Sequence, residues 1–308
     1  MTPSRLGAQN QAGDPLALFL KVFAGEVLTA FDETNVAASR SMVRTITSGK
    51  SAQFPATWKG TAAYHVPGTQ LQGTGVGHNE RVITIDDLLV ADRFISNIDE
   101  AMNHYDVRSI YSRDIGMALA RTFDKNLLQV GLLTARATAT VSGGNGGSAL
   151  TDANYLTTVA NLETGIFQAA QKLDEKDVPS NDRYVALKPQ QYYQLVQSSA
   201  RVINRDYNPN PNGSFSQGSV FQIGGVEIVK TNNLPQSNVV TGPAAYQGNF
   251  STVAGLVWQK GAMGTVKLLD LAVEQDYLIE YQGSLLIGKY AVGHGILRPE
   301  CAVELKTA

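Results

Sequence analysis

Along the 308-residue chain, apolar positions recur with the periods of helices and of strands, and runs of breakers separate them. Residues 16–31 (LALFLKVFAGEVLTAF) are apolar on nearly every turn face, with Gly25 as an interruption and Asp14-Pro15 as a start, which predicts a short helix packed on a partner. Residues 40–47 are rich in β-branched side chains and partly alternate, as a strand does. Then Gly49, Pro55, Gly60, Pro67, Gly68, Gly73, Gly75 and Gly77 punctuate the chain, and a second strand follows over residues 80–90 (ERVITIDDLLV). That density of breakers predicts an extended, hairpin-like excursion. Two limbs of about 15 residues at roughly 3.3 Å per residue reach up to about 50 Å from the body. Loops of this length are usually functional or disordered, and Phe54, Trp58, Tyr64 and Leu71 favour one that docks on something.

Residues 98–136 carry the strongest helical pattern. Asp99 is a candidate N-cap, and Met102, Ile115, Ala118, Leu119, Thr122, Phe123 and Leu127 are spaced by three and four. This predicts one long amphipathic helix, bent near residues 105–107, that ends at the glycine-rich linker after Ser142. A second helix is predicted over residues 154–173, capped by Thr151 or Asp152, then a strand over 183–187 and a third helix begun by Pro189. Residues 204–218 (NRDYNPNPNGSFSQG) have the composition of an exposed loop. Strands follow over 226–231, 252–259, 265–271, 278–286 and 302–305, so the chain is of the α+β class.

Bulk properties narrow the function. The length suits about two domains, and no apolar run approaches the roughly 20 residues needed to span a bilayer. The N-terminus has no apolar core of the signal-peptide kind and reads as an arm. A formal charge of −2 argues against gripping nucleic acid through a basic surface. The single cysteine, Cys301, forms no intrachain disulfide and is expected to be a small buried apolar residue in a reducing compartment.

Enzyme signatures fail one by one. Gly49-Lys50-Ser51 has Arg44 where a phosphate-binding loop needs glycine, and no helix can follow through Pro55. The glycines at 73, 75 and 77 lack the third position of a dinucleotide turn. His65, His78, His104 and His294 have no zinc-type spacing. Asp86 and Asp87, as neighbours in a strand, point to opposite faces and cannot share a substrate. No catalytic group, cofactor or metal site is predicted.

What stands out is charge segregation. Between Thr34 and Asn79 there is no acid, while Arg40, Arg44, Lys50 and Lys59 are present; from Glu80 to Asp106 acids outnumber bases. A projecting basic loop and an acidic body suit a head-to-tail contact between copies. The predicted intersubunit residues are Arg40, Arg44, Lys50, Phe54, Trp58 and Lys59 on the loop side, and Asp86, Asp87, Asp92, Asp99 and Glu100 on the acidic side. The bland alternative is a loop folded back on its own acidic neighbour.

Six blocks carry a resemblance. Residues 16–31, 48–55 (SGKSAQFP), 81–88 (RVITIDDL), 101–108 (AMNHYDVR), 264–272 (GTVKLLDLA) and 289–300 (KYAVGHGILRPE) resemble the major capsid proteins of Teseptimavirus-like (Autographiviridae-type) short-tailed bacteriophages. Residues 56–79, 137–150 and 204–250 are least similar. The resemblance implies an HK97-like capsid fold with an N-terminal arm (1–47), an extended loop (48–81), a peripheral domain with a long spine helix (82–149 and 254–286), an axial domain (150–253) and a C-terminal return to it (287–308). It further implies self-assembly as hexamers and pentamers into an icosahedral T=7 shell around double-stranded DNA that is not bound sequence-specifically. The implied partners are a scaffolding protein, a portal or connector, and head decoration or cement proteins, with no membrane. The implied location is the virion capsid, assembled in the host bacterial cytoplasm. No Lys–Asn crosslinking is expected. An encapsulin-like nanocompartment shell is the alternative reading.

Overall fold

A computed structural model of the chain describes residues 35–57, 60, 62–70, 73, 75–102, 107–197, 213–214 and 219–307. In chain order the strands are β1 (Met42–Thr45), β2 (Ser51–Thr57), β3 (His78–Thr84), β4 (Leu89–Ser96), β5 (Ser148–Thr151), β6 (Arg183–Leu187), β7 (Gly213–Ser214), β8 (Ser219–Val220), β9 (Gln222–Ile223), β10 (Val226–Lys230), β11 (Asn238–Val239), β12 (Gly248–Asn249), β13 (Val253–Gln259), β14 (Met263–Leu278), β15 (Gly283–Ile296) and β16 (Ala302–Lys306). The helices are α1 (Asn97–Met102), α2 (Val107–Arg136), α3 (Val159–Glu175) and α4 (Pro189–Gln197). The chain divides into two units, one of residues 1–35, 85–124 and 267–292, the other of 36–84, 125–266 and 293–308.

The larger unit is built on a six-stranded sheet of order β5-β16-β13-β6-β10-β9. β13 (VAGLVWQ) is apolar along its length because it is central: it pairs antiparallel with both β16 and β6, and six consecutive residues are buried. Helix α3 lays Leu162, Ile166, Ala169, Ala170 and Leu173 into the core at the spacing of one helix face. Its C-terminal end is tied by the buried Arg183, which donates to the carbonyls of Pro179 (2.9 Å) and Val178 (2.6 Å) and to Asp174 (2.7 Å). The last turns of α2 are buried all round, from Leu127 to Leu132, and Arg136 closes the helix with two bonds to the buried carboxylate of Glu304, at 2.7 and 2.5 Å. Arg136 also gives a third bond to the Asn249 carbonyl and stacks over Phe250.

The smaller unit has a compact core of Ile95, Ile115, Leu119 and Leu286, with Leu89, Ala91 and Tyr111 against it. β14, β15 and β4 lie in that order in one sheet, and β4 pairs antiparallel with β15 from Leu89↔Tyr290 to Ser96↔Gly283.

Several boundaries differ from those expected. The helical region before residue 137 is two helices, α1 and α2, with residues 103–106 outside those described. α1 begins at Asn97, so Asp99 is its third residue and not the cap; it is buried. The second predicted helix starts at Val159, five residues late. Asp152 accepts the Asn154 amide (2.8 Å) and the Asn161 side chain (2.8 Å), so local side-chain bonding holds residues 152–158 in turns. Residues 80–90 are not one strand: β3 ends at Thr84, opposite Ser51, the first residue of its partner β2, and β4 begins where β15 becomes the partner. Asp86 and Asp87 therefore occupy a bend, not a strand. The strand predicted over 265–271 is part of the longer β14, whereas the one predicted over 278–286 is interrupted by the turn at Ile279–Tyr281, after which Gln282 takes a left-handed conformation (φ 50°) and β15 begins. The loop of residues 204–218 lies outside the described residues except for 213–214.

Candidate functional site

The excursion predicted from the breakers is a two-stranded antiparallel hairpin of β2 and β3, in register from Ser51↔Thr84 to Thr57↔His78. Alternation along β2 turns Ala52, Phe54 and Ala56 inward and leaves Ser51, Gln53, Pro55 and Thr57 exposed. Its root is fixed by Ile83, 2% exposed, which lies across two glycines in neighbouring strands. A Cβ on Gly295 would stand 2.6 Å from Ile83 Cγ1, and one on Gly264 would stand 2.7 Å from Leu297 and 3.1 Å from Ile83. A side chain at either position would force Ile83 or Leu297 to shift, so the two glycines let the hairpin pack closely on the strands. The loop after α2 adds polar support: Asn79 donates to the Thr140 carbonyl (2.7 Å) and Arg81 Nε to the Thr140 hydroxyl (3.1 Å).

Beyond the root the hairpin is uncovered. Tyr64 is fully exposed, Val66 is 65% exposed, and Val76 is half exposed. At Val66-Pro67-Gly68-Thr69 the chain makes a turn: the Thr69 amide donates to the Val66 carbonyl (3.2 Å), and Gly68 supplies the positive φ of 89° that follows proline in a type II turn. A two-stranded ribbon is at best marginally stable in water by itself, so the exposed outer part calls for a surface to lie on.

The structure separates the predicted contact residues. Arg44 and Lys50 are exposed; Arg44 donates to the Gln53 carbonyl (2.8 Å) and lies over the Phe54 ring, and neither base makes an ion pair among the described residues. Arg40 is engaged within the chain, on Glu227 at 2.6 Å and over the Tyr184 ring. Among the acids, Asp87 and Asp92 are exposed, Asp86 is half-buried with its amide bonded to the Val292 carbonyl (3.1 Å), and Asp99 is buried. Trp58, Lys59 and the side chain of Glu100 lie outside the described residues. The exposed charges are thus Arg44 and Lys50 on the hairpin side and Asp87 and Asp92 on the other.

Reasoning from sequence did not pick out Ile83, Asn79, Arg81 or Thr140. The signal was present in Gly264 and Gly295, since glycine inside a strand pattern marks a close approach of another segment.

Two titratable groups, His294 and Cys301, are buried and held neutral. Burial pushes the His294 imidazole down to about 3; its Nδ1 lies 2.9 Å from the Thr265 hydroxyl, and its backbone amide donates to Tyr246. Burial also pushes the Cys301 thiol up to about 11, as befits a small core residue. Among the described residues no cluster of three or more His, Cys, Asp or Glu could hold a metal ion, and no helix is long and apolar enough to cross a membrane.

A projecting apolar and basic hairpin, with no assembled catalytic or metal constellation among the described residues, is a surface for making contacts. Comparison with known proteins gives the family. Residues 53–306 match the model of the Gp10A-like family, described as a major capsid protein. The chain is 39% identical to the major capsid protein of Escherichia phage T7, over 94% of this chain and 92% of that one. It is 37% identical to the major capsid protein of Enterobacteria phage T3, over 96% and 93%. The capsid structure of the cyanophage P-SCSP1u superposes with a TM-score of 0.82 at 43% identity, covering 100% of this chain and 99% of that one.

Proposed function

We propose, on the premise that this chain belongs to the Gp10A-like major capsid protein family, that the β2–β3 hairpin is the strap by which one copy holds the next. The chain is a structural protein of the phage capsid shell, with an HK97-like α+β fold, and not an enzyme. Its breadth of identity to phage capsid proteins favours the phage shell over a nanocompartment.

The finer reading is a T=7 icosahedral head of hexamers and pentamers enclosing the double-stranded DNA of a short-tailed phage. The shell would be built with a scaffolding protein and a portal, and later held by any cement proteins, in the bacterial cytoplasm. A chain of charge −2 supports a wall that encloses DNA without gripping it. In this reading the smaller unit is peripheral domain, the six-stranded sheet is axial domain, and residues 48–81 are the extended loop.

The observation that carries the strap is the hairpin's division into a locked root and an uncovered outer part. Exposed Arg44 and Lys50 would meet the exposed Asp87 and Asp92 of a neighbour, while Tyr64, Val66 and Val76 provide apolar area. A heterologous contact of this kind closes copies into rings. The test is particle yield of the Arg44→Gln/Lys50→Gln variant across ionic strength. A loss concentrated at low salt supports the charged contact, since screening already removes it at high salt. Yields equal to wild type at every salt concentration overturn the charge assignment.

A further inference from the structure

A cavity of about 450 Å³ opens at the root of the hairpin, with all of its lining drawn from the larger unit. Phe54, Ala56, Val141 and Leu297 give it apolar walls, and Arg81 and Arg298 are the cations of its lining. Arg81 is held through Nε on the Thr140 hydroxyl (3.1 Å), and Arg298 through Nε on the Glu300 carboxylate (2.8 Å). Each guanidinium has further N–H donors at its terminal nitrogens. The Arg298 side chain is 54% exposed and that of Glu300 only 8%, so an arginine meets solvent and the acid does not. An apolar pocket of this kind fits an apolar side chain flanked by carboxylates.

The smaller unit carries such a group. β14 and β15 are neighbours in one sheet, and the turn that joins them presents Ile279, 73% exposed, between the exposed Tyr277 and Tyr281. Asp276 and Glu280 are exposed beside these side chains, and neither makes an ion pair among the described residues. The turn is braced from within its own unit. The Asn97 amide donates to the Gln282 carbonyl (3.0 Å), the Asn97 side chain donates to the Tyr277 hydroxyl (2.9 Å), and the Phe94 and Tyr281 rings meet edge to face with centroids 6.3 Å apart. Large apolar side chains held outward on a fixed turn mark a contact surface, and the acids among them select a basic partner.

We propose that the β14–β15 turn of a second copy occupies this cavity, with Ile279 against the apolar walls and Asp276 and Glu280 facing Arg81 and Arg298. Chain order calls for a second copy. Gly261 of the cavity precedes β14 and Leu297 and Arg298 follow β15, so the cavity is at the open end of the strand pair and the turn at its closed end. The closed end of a strand pair does not fold onto its own open end. The contact is heterologous, each copy giving a turn and receiving one. The incoming turn touches the hairpin at Phe54 and Arg81 and the body at Leu297 and Arg298, so a neighbour in place holds the base of the strap. This contact does not depend on where the outer hairpin lands.

The experiment is disulfide trapping in closed particles of the full-length chain carrying Ile279→Cys and Asn145→Cys, Asn145 being an exposed residue of the cavity lining. The native Cys301 is buried and stays silent. The expected result is a ladder of disulfide-linked dimers and larger oligomers, formed at least tenfold faster than from Ile279→Cys/Gln168→Cys, whose second site is on the exposed side of α3. Adding Glu280→Arg slows trapping several-fold through repulsion by Arg81 and Arg298, and a rate it leaves unchanged overturns the charge pairing. A crosslinked single-chain band in place of the ladder would put the turn on its own chain, and dimers formed as fast by Ile279→Cys alone would put it on another turn. Either result overturns the proposal, as does trapping no faster than the control. Wild-type particles supply a readout that survives failed assembly of the variants. Hydroxyl-radical labelling of Ile279 and of Phe54 should fall together on assembly, at least fivefold, and Ile279 labelled equally before and after assembly overturns the contact. Neither readout involves Arg44, Lys50, Asp87 or Asp92, so failure here is distinct from failure of the strap.

Discussion

The paired strands of the hairpin and the loop that joins them are one excursion of the chain, yet intrachain contacts hold the first and leave the described residues of the second exposed. At the root, Ile83 is 2% exposed and seated across Gly264 and Gly295, and Arg81 and Asn79 are bonded to Thr140. In the loop between the strands, Tyr64 is fully exposed and Val66 is 65% exposed. Substitutions at the root should register as stability of the isolated chain, and substitutions further out as assembly. The difference teaches that a contact surface can be recognised by where intrachain stabilisation stops along one excursion of the chain.

The comparison is strained most by acid, because the buried His294 adjoins Gly295 in the root. Its imidazole is held neutral in the fold, down to about 3, whereas in the unfolded chain it takes up a proton from about pH 6.5. Its contribution is fully present above pH 6.5 and is lost as pH falls, by about 1.4 kcal/mol per unit, reaching roughly 4–5 kcal/mol near pH 3. Unfolding midpoints of His294→Gln should accordingly show a shallower acid loss than wild type between pH 6.5 and 4. Parallel pH profiles for the two would remove His294 from the account.

Next in size is Ile83→Ala, which empties the seat between the two glycines and should cost about 2–5 kcal/mol in denaturant titrations of the unassembled chain. Gly295→Ala approaches the same seat from the other side; overpacking against Ile83 should cost about 1–3 kcal/mol. The smallest effect on stability is predicted for Tyr64→Ser/Val66→Ser, within about 0.5 kcal/mol of wild type, because both side chains are exposed. In assembly the ranking inverts: this outer variant should lose at least tenfold in particle yield. A stability loss in Tyr64→Ser/Val66→Ser as large as that in Ile83→Ala would erase the distinction between the two regions.

Much of this was legible in the sequence. The breakers from Gly49 to Gly77 located the hairpin, the strand over 183–187 and the helix at Pro189 were placed where they occur, and continuous apolar runs marked β13 and β16. The boundaries that failed depend on partners. The break at residues 85–88 arises because β3 and β4 pair with different strands, and the turn at Ile279–Tyr281 carries no glycine or proline of its own. The late start of α3 reflects Asp152 bonding to its own neighbours in preference to capping a helix. For the contact surface, charge counting found the basic hairpin but treated all its charges alike. Only the fold shows that Arg40 is committed to Glu227 and that Asp99 is buried, which leaves Arg44, Lys50, Asp87 and Asp92 at the surface. The anchoring of the root could not be read from composition, because Ile83 and the glycines it needs are far apart in the chain.

The claim that a neighbouring copy covers the outer hairpin is tested most directly by thiol labelling of Tyr64→Cys, before and after assembly. Cys301 does not compete, being buried with its thiol pushed up to about 11. The account predicts rapid labelling in the unassembled chain and labelling slowed at least tenfold in closed particles. Equal rates in both states would show that the hairpin stays uncovered in the shell and contradict its role as a strap.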